Sequence, residues 1–279
     1  MISLLLAAAL VLPPQKSDAV IGVTAIHLES GRRVSVRGTE RFPMGSVYKF
    51  PIGLTVLKRV DSGTLSLDRP IIVEPKEFAG GWSPLRDEAH GKPVTRTVGE
   101  LLELMVSRSD NTASDVLLRL VGGPVAVTTR MAELNAAAVR VDRSEKQIHK
   151  ELEAEDGTAR YTRDVRDTST PDAMAELLVA FWNKRDGLTP ASHALLMQHM
   201  IDSPTGERKL RAGVPKGWTV AHKSGMMPAT SNDVGVLTSP DGKTHIAIAI
   251  FAKAATSDYP TIDADVAAIT RTAIEALAP

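Results

Sequence analysis

An α/β chain, with a sheet assembled from both ends of the sequence around an inserted helical unit, follows from three features of the pattern. Near the start, "AVIGVTAIHLESGRRVSVRG" holds two short β-type runs joined by "ESGRR", a hairpin signal. From Ser46 to about Met200 the apolar residues fall near helical spacing. Beyond residue 213 the β pattern returns in "GWTVAHKSG", "SNDVGVLTS" and "KTHIAIAIFA". The expected architecture is α/β in the α+β sense: an antiparallel sheet flanked by helices. Residues 18–45 plus 213–279 form the discontinuous sheet unit and residues 46–212 the all-helical one, with the site in the cleft between them.

Each element has its own signal. "MISLLLAAALVLPP" is an apolar stretch ended by two prolines, too short to span a bilayer and of a length suited to a signal-peptide core. Residues 1–17 are therefore expected to be a cleaved leader, the alternative being a structural N-terminal helix. The segments "TVGELLELMVS", "NTASDVLLRLVGG", "GPVAVTTRMAELN", "TPDAMAELLVAFWNK" and "TPASHALLMQHMI" each combine helical periodicity with a start or stop signal. "SPDGK" supplies turn chemistry between the last two strands, and "DADVAAITRTAIEAL" reads as a closing amphipathic helix.

Composition narrows the function. The 279-residue chain carries 33 basic and 33 acidic residues without a long run of either sign, so neither nucleic acid nor an anionic membrane surface is an evident partner. The absence of cysteine excludes thiol catalysis, cysteine-ligated zinc and iron–sulfur centres. The seven histidines are scattered and include no H-E-x-x-H spacing, so no metal site is expected.

Three short motifs carry chemistry. In "RFPMGSVYKF", Ser46 reads either as a helix cap or as a nucleophile, since Lys49 lies one turn later on the same face. A serine hydroxyl needs an adjacent base, and a helix N-terminus stabilises negative charge growing on a carbonyl oxygen nearby. Ser109-Asp110-Asn111 reads alone as a helix cap, and Lys223-Ser224-Gly225 as a strand end with a glycine turn.

S-x-x-K, then S-D-N, then K-[ST]-G, each once and in that order, form the motif set of class A β-lactamases and penicillin-binding proteins. The sequence resembles a class A β-lactamase over nearly its whole length after the leader. The resemblance implies hydrolysis of the β-lactam amide bond of penicillins and cephalosporins through a serine acyl-enzyme, without cofactor, by an exported bacterial monomer in the periplasm or secreted.

Residue roles follow from the match. Ser46 attacks the lactam carbonyl, with Lys49, or Glu145 acting through water, as the base. The backbone N–H groups of Ser46 and Met226 form the oxyanion hole. Ser109, aided by Lys223, relays a proton to the departing nitrogen, and Asn111 binds the acylamide side chain, with Asp110 structural. Lys223, Ser224 and Gly225 belong to the substrate-binding strand. "VDRSEKQIH" resembles the start of the Ω-loop that carries the deacylating glutamate, making Glu145 the candidate over Glu151, Glu153 and Glu155. Arg143 is expected to pair with Asp167 across the loop base.

The match has departures. His149 stands where class A enzymes commonly have Asn, as in a smaller branch that includes extended-spectrum cephalosporinases, and "KELEAEDGTARYTRDV" lengthens the loop. No arginine lies on "SNDVGVLTS", so Arg211 in "KLRAGVPKGW" is expected to meet the substrate carboxylate. Trp82 in "GGWSPLRDE" is expected as an exposed gatekeeper, with a core position as the alternative. Gly45 precedes the serine where strong carbapenem hydrolases often have cysteine, so carbapenemase activity is not expected. The competing readings are a D,D-peptidase or penicillin-binding protein and a non-enzymatic sensor that stays acylated.

Overall fold

The computed structural model describes residues 8–9 and 11–278, so residues 1–7 and 10 of the expected leader lie outside the described residues. Elsewhere in that leader, Ala8–Ala9 pair with Val34–Ser35, and the Lys16 and Ser17 amides donate to Asp265. β1 (Ala8–Ala9), β2 (Val20–His27), β3 (Arg33–Val36) and β4 (Phe42–Pro43) lead into a 3₁₀ turn at Gly45–Tyr48 that continues as α1 (Lys49–Asp61). β5 (Pro70–Val73), α2 (Pro84–Ala89) and β6 (Val94–Thr97) follow, then α3 (Val98–Val106), α4 (Asn111–Leu120), α5 (Pro124–Glu133), α6 (Glu145–Leu152) and α7 (Gly157–Arg163). A short β7 (Thr168–Ser169) precedes α8 (Pro171–Trp182), α9 (Pro190–Ile201) and α10 (Leu210–Gly213). β8 (Thr219–Met227), β9 (Thr230–Thr238), β10 (His245–Lys253) and α11 (Tyr259–Leu277) close the chain.

The sheet runs β1-β3-β2-β10-β9-β8, and apart from the parallel β1–β3 pair its neighbours are antiparallel. Its centre joins the two chain ends, with Val23 opposite Ile250. Alternation along β10 assigns the faces. Ile246, Ile248 and Ile250 pack with Ile262, Val266 and Ile269 of α11, whereas Ala247, Ala249 and Phe251 turn to the core shared with the helices. Burying each large aliphatic side chain contributes about 1.5–3 kcal/mol, so both sheet faces are committed.

Helix α1 passes through the middle of that second core, with every residue from Lys49 to Leu57 buried. An element apolar on all sides belongs in the interior, and this one fixes the residues just before it. Threonine caps and N1 prolines start α8 and α9: the Thr170 and Thr189 hydroxyls accept from Ala173 N and Ser192 N, and each proline has no N–H to leave unpaired.

Two features were not legible beforehand. The segment between Glu145 and Asp167 is not a plain loop but carries α6 and α7. The two-residue pairing of β4 with β7, Phe42 with Ser169 and Pro43 with Thr168, is too short to leave a sequence period.

Candidate active site

Ser46 lies in the 3₁₀ turn rather than at the head of an α-helix. Three residues per turn eclipse positions i and i+3, which brings Lys49 directly over Ser46. Lys49 Nζ is 3.0 Å from Ser46 Oγ. Gly45 enters the turn at φ +51, and a Cβ there would lie 3.3 Å from Met226 N, so a side chain would be strained and would crowd the approach to β8.

Lys49 is fully buried and sits at the centre of the cluster. Its Nζ also lies 2.7 Å from Ser109 O, 2.6 Å from Asn111 Oδ1 and 3.2 Å from Glu145 Oε1. Four oxygen partners exceed the three protons of an ammonium group.

The Ser109-Asp110-Asn111 segment divides its labour. Asp110 is the N-cap of α4, accepting from Ala113 N, and it also takes Leu85 N and the Ser83 hydroxyl, tying α2 to α4. Its burial outweighs these bonds and raises its pKa. Ser109 holds φ +59, which turns its carbonyl to Lys49 while its hydroxyl accepts from Lys223 Nζ at 3.0 Å. Asn111 donates from Nδ2 to Gly80 O at 2.9 Å.

Lys223, on β8, is wholly buried, with its Nζ directed to Ser109 Oγ and the Ser224 carbonyl. Burial, reinforced by the nearby charge of Lys49, pushes its pKa well below the ordinary lysine range.

Glu145 begins α6, capped by Ser144, and its side chain is 2% exposed. Asp115, one turn along α4 from Asn111, accepts Glu145 N at 2.7 Å and Lys146 N at 3.0 Å and so anchors the start of α6. Burial, followed by the repulsion of Glu145, raises Asp115 to about 6 despite those bonds. Arg143 donates to Asp167 at 2.6 Å, also pairs with Glu151 and Asp164, and lies over the Tyr161 ring. Glu151 is thereby committed to Arg143 and Arg166, and Glu153 and Glu155 are exposed. Glu145 is the buried carboxylate of the four. His149 Nδ1 lies 2.8 Å from the Glu145 carbonyl, and its ring packs over Gly80 and Gly81.

Two cavities meet at Ser46, Trp82 and Met226. One, of about 430 Å³, extends past Ser109, Thr205, Ser224 and Gly225 to Lys209. The other, of about 520 Å³, extends past Asn111 and His149 to Leu152, Met227 and Tyr259. Trp82 is 63% exposed, with its indole N–H on Arg108 O, so it occupies a loop rim and not the core.

Arg211 is not brought to either cavity. Its guanidinium is spent on Ile201 O, Ser203 O and His222 Nε2, and the cations on the cleft wall are Arg208 and Lys209. Lys209 is buried against Gly225 O and Asn232 O, and burial lowers its pKa. Sequence reasoning missed Lys209, Thr205, Asp115 and the buried His222–Asp233 pair. "ERKLR" offered three neighbouring cations without saying which faced inward.

The sequence model of the beta-lactamase enzyme family matches residues 6–277. The chain belongs to that family, among the class A β-lactamases. It is 32% identical over 242 residues to Beta-lactamase VEB-1 of Pseudomonas aeruginosa, covering 84% of this chain and 77% of that one. It is 31% identical over 264 residues to Extended-spectrum beta-lactamase PER-1 of the same organism, covering 92% and 82%. The crystal structure of TLA-3 extended-spectrum beta-lactamase superposes with a TM-score of 0.86 at 29% identity over 95% of each chain. For this class A member the mixed architecture read from the two chain ends therefore holds.

Proposed function

We propose that this class A β-lactamase opens the β-lactam amide of penicillins and cephalosporins on Ser46 and releases the acyl-enzyme with a water activated by Glu145. One observation carries the reading: Lys49 Nζ lies 3.0 Å from Ser46 Oγ and 3.2 Å from Glu145 Oε1, linking the nucleophile and the deacylating carboxylate through a single buried cation. As an ammonium Lys49 only donates, so Ser46 O–H gives its proton either to Lys49 in its neutral amine form or through water to Glu145.

In the first half-reaction Ser46 Oγ bonds to the lactam carbonyl carbon and the C–N bond breaks. The serine proton passes to Lys49, or through water to Glu145, and reaches the departing nitrogen by way of Ser109, whose hydroxyl faces Lys223. The backbone amides of Ser46 and Met226 are the proposed oxyanion donors, each worth about 10²–10³ in rate. In the second half-reaction Glu145 takes a proton from water, the hydroxide displaces Ser46 from the ester, and Ser46 regains its proton.

The cavity holding Asn111 is assigned to the acylamide side chain. The one ending at Thr205, Ser224 and Lys209 is assigned to the ring carboxylate, in place of Arg211. Arg143, Asp167 and His149 hold the loop, and the sheet unit (18–45 plus 213–279) and helical unit (46–212) form the two sides of the cleft. Export to the periplasm or medium is supported by the apolar N-terminal stretch, and the monomeric state is carried over from the family resemblance alone. Among the described residues no helix is long and apolar enough to cross a membrane.

The test is intact mass during incubation with benzylpenicillin, followed alongside loss of the β-lactam absorbance. Rapid loss with free protein at the end is expected. A stable adduct with little turnover would point instead to a D,D-peptidase or an acylated sensor.

A further inference from the structure

We propose that Arg211, His222 and Asp233 form a buried positioning relay that holds residues 203–209, the far wall of the cleft, at the distance a substrate needs. None of the three side chains lines the cleft, so they act through the wall.

The relay is built across two strands. His222 stands opposite Gly235 and Ser224 opposite Asp233, so all four share one face, and the His222 ring reaches diagonally to the Asp233 carboxylate. Gly235 makes this possible, because a Cβ there would fall 2.8 Å from His222 Cβ and 2.2 Å from Ala221 O. His222 and Asp233 are both fully buried, with Nδ1 2.8 Å from Oδ1 and 3.0 Å from Oδ2.

Arg211 fixes the protonation of the pair. Its Nε donates to His222 Nε2 at 3.1 Å, and a guanidinium can only donate, so that ring nitrogen is the acceptor. The ring proton is therefore on Nδ1, which donates a hydrogen bond to the Asp233 carboxylate. Arg211 Nη2 donates onward to Ile201 O at 2.6 Å and Ser203 O at 3.0 Å, and Asp233 Oδ2 accepts Leu210 N at 3.3 Å. The end of α9, the loop after it and the start of α10 are thus all tied to β8 and β9.

The wall rests on that relay. Gly206, at φ +70, lies so close that a Cβ would stand 3.0 Å from Ser224 Cβ, 3.1 Å from His222 Cε1 and 3.3 Å from Asp233 Oδ2. Its neighbour Thr205 meets Ser224 hydroxyl to hydroxyl at 2.7 Å on the cleft surface, and Lys209 N closes a turn onto Gly206 O. Removing one relay member leaves buried polar partners unpaired and lets the wall shift, while Ser46, Lys49 and Glu145 keep their own contacts.

This inference rests on the β-lactamase reading for its assay, and the quantity read is the half-saturating concentration of benzylpenicillin. It is taken from turnover or, if the protein only acylates, from adduct formation by intact mass, so the relay is tested in either case. Arg211→Ala is expected to raise it by on the order of tenfold or more, with the maximal rate held within about threefold. His222→Asn is expected to reproduce that change, and the double variant to be no worse than the poorer single one. If His222→Asn behaves as wild type while Arg211→Ala does not, or if the two effects add, Arg211 acts independently and the relay is overturned. Should Arg211→Ala not fold, Arg211→Lys serves: it can reach a carbonyl but has no second nitrogen for His222. A partial rise is then expected, and an unchanged value overturns the proposal.

Discussion

The two walls of the cleft are held by different kinds of connection. On the nucleophile side, Ser46 and Lys49 are three residues apart in one turn, and Asn111 and Asp115 are one turn apart on α4. On the far side, Lys223 reaches Ser109 across 114 residues, and the segment carrying Thr205 and Lys209 is positioned by bonds to two strands. The near wall is a local geometry that the core clamps, whereas the far wall exists only once the sheet has formed. Losses at Ser46 and Glu145 should therefore fall on the chemical steps, and losses in the Thr205–Lys209 segment on affinity.

The largest break expected is Ser46→Ala, which removes the nucleophile: adduct mass should vanish and turnover fall by about 10⁴–10⁶. Persistent turnover of penicillin would move the nucleophile elsewhere. Next comes Glu145→Ala, expected to leave acylation measurable and to slow deacylation by about 10²–10⁴, seen as a lasting adduct in intact mass. A near-normal rate would transfer the role to another group in the loop.

Asp115→Asn sharpens the comparison by pH. The folded-state pKa of Asp115 is raised from 3.8 to about 6, so its stabilising contribution is complete below pH ~4 and is lost as pH rises through 6. The loss amounts to about 3 kcal/mol across that window. Asparagine does not titrate, so relative to wild type the variant should gain by about that amount between pH ~4 and ~7 in denaturant unfolding. A difference independent of pH would mean that the carboxylate is not strained by burial.

The smallest effect is expected from Trp82→Ala. At an exposed rim shared by both cavities, loss of the indole should raise KM by less than about tenfold and leave kcat nearly unchanged. A large fall in kcat would place Trp82 in the chemistry.

Legibility followed the range of each interaction. Ser46 with Lys49, the Asp110 cap and the Arg143–Asp167 pair were readable because a short spacing or a motif names both partners. Arg211 was misplaced because a long side chain on a four-residue helix can point either way. Its direction was decided by His222 and by the carbonyls at the end of α9, none of which a one-dimensional pattern connects. The lengthened loop was visible as charged residues, but its helix α7 depends on Tyr161 being buried beside Arg143.

The sequence by itself determined that both chain ends build one sheet, that a buried helix follows Ser46, and that serine and lysine share a turn, because periodicity and hydrogen-bond spacing along a backbone are local. Only the tertiary structure decided that Arg208 and Lys209 rather than Arg211 meet the cleft, that Glu145 faces Lys49 across the interior, and that Asp115 and Asp233 anchor the starts of α6 and α10. Those choices depend on burial and on partners supplied by other strands and helices, and a buried charge takes the one position where its partners are.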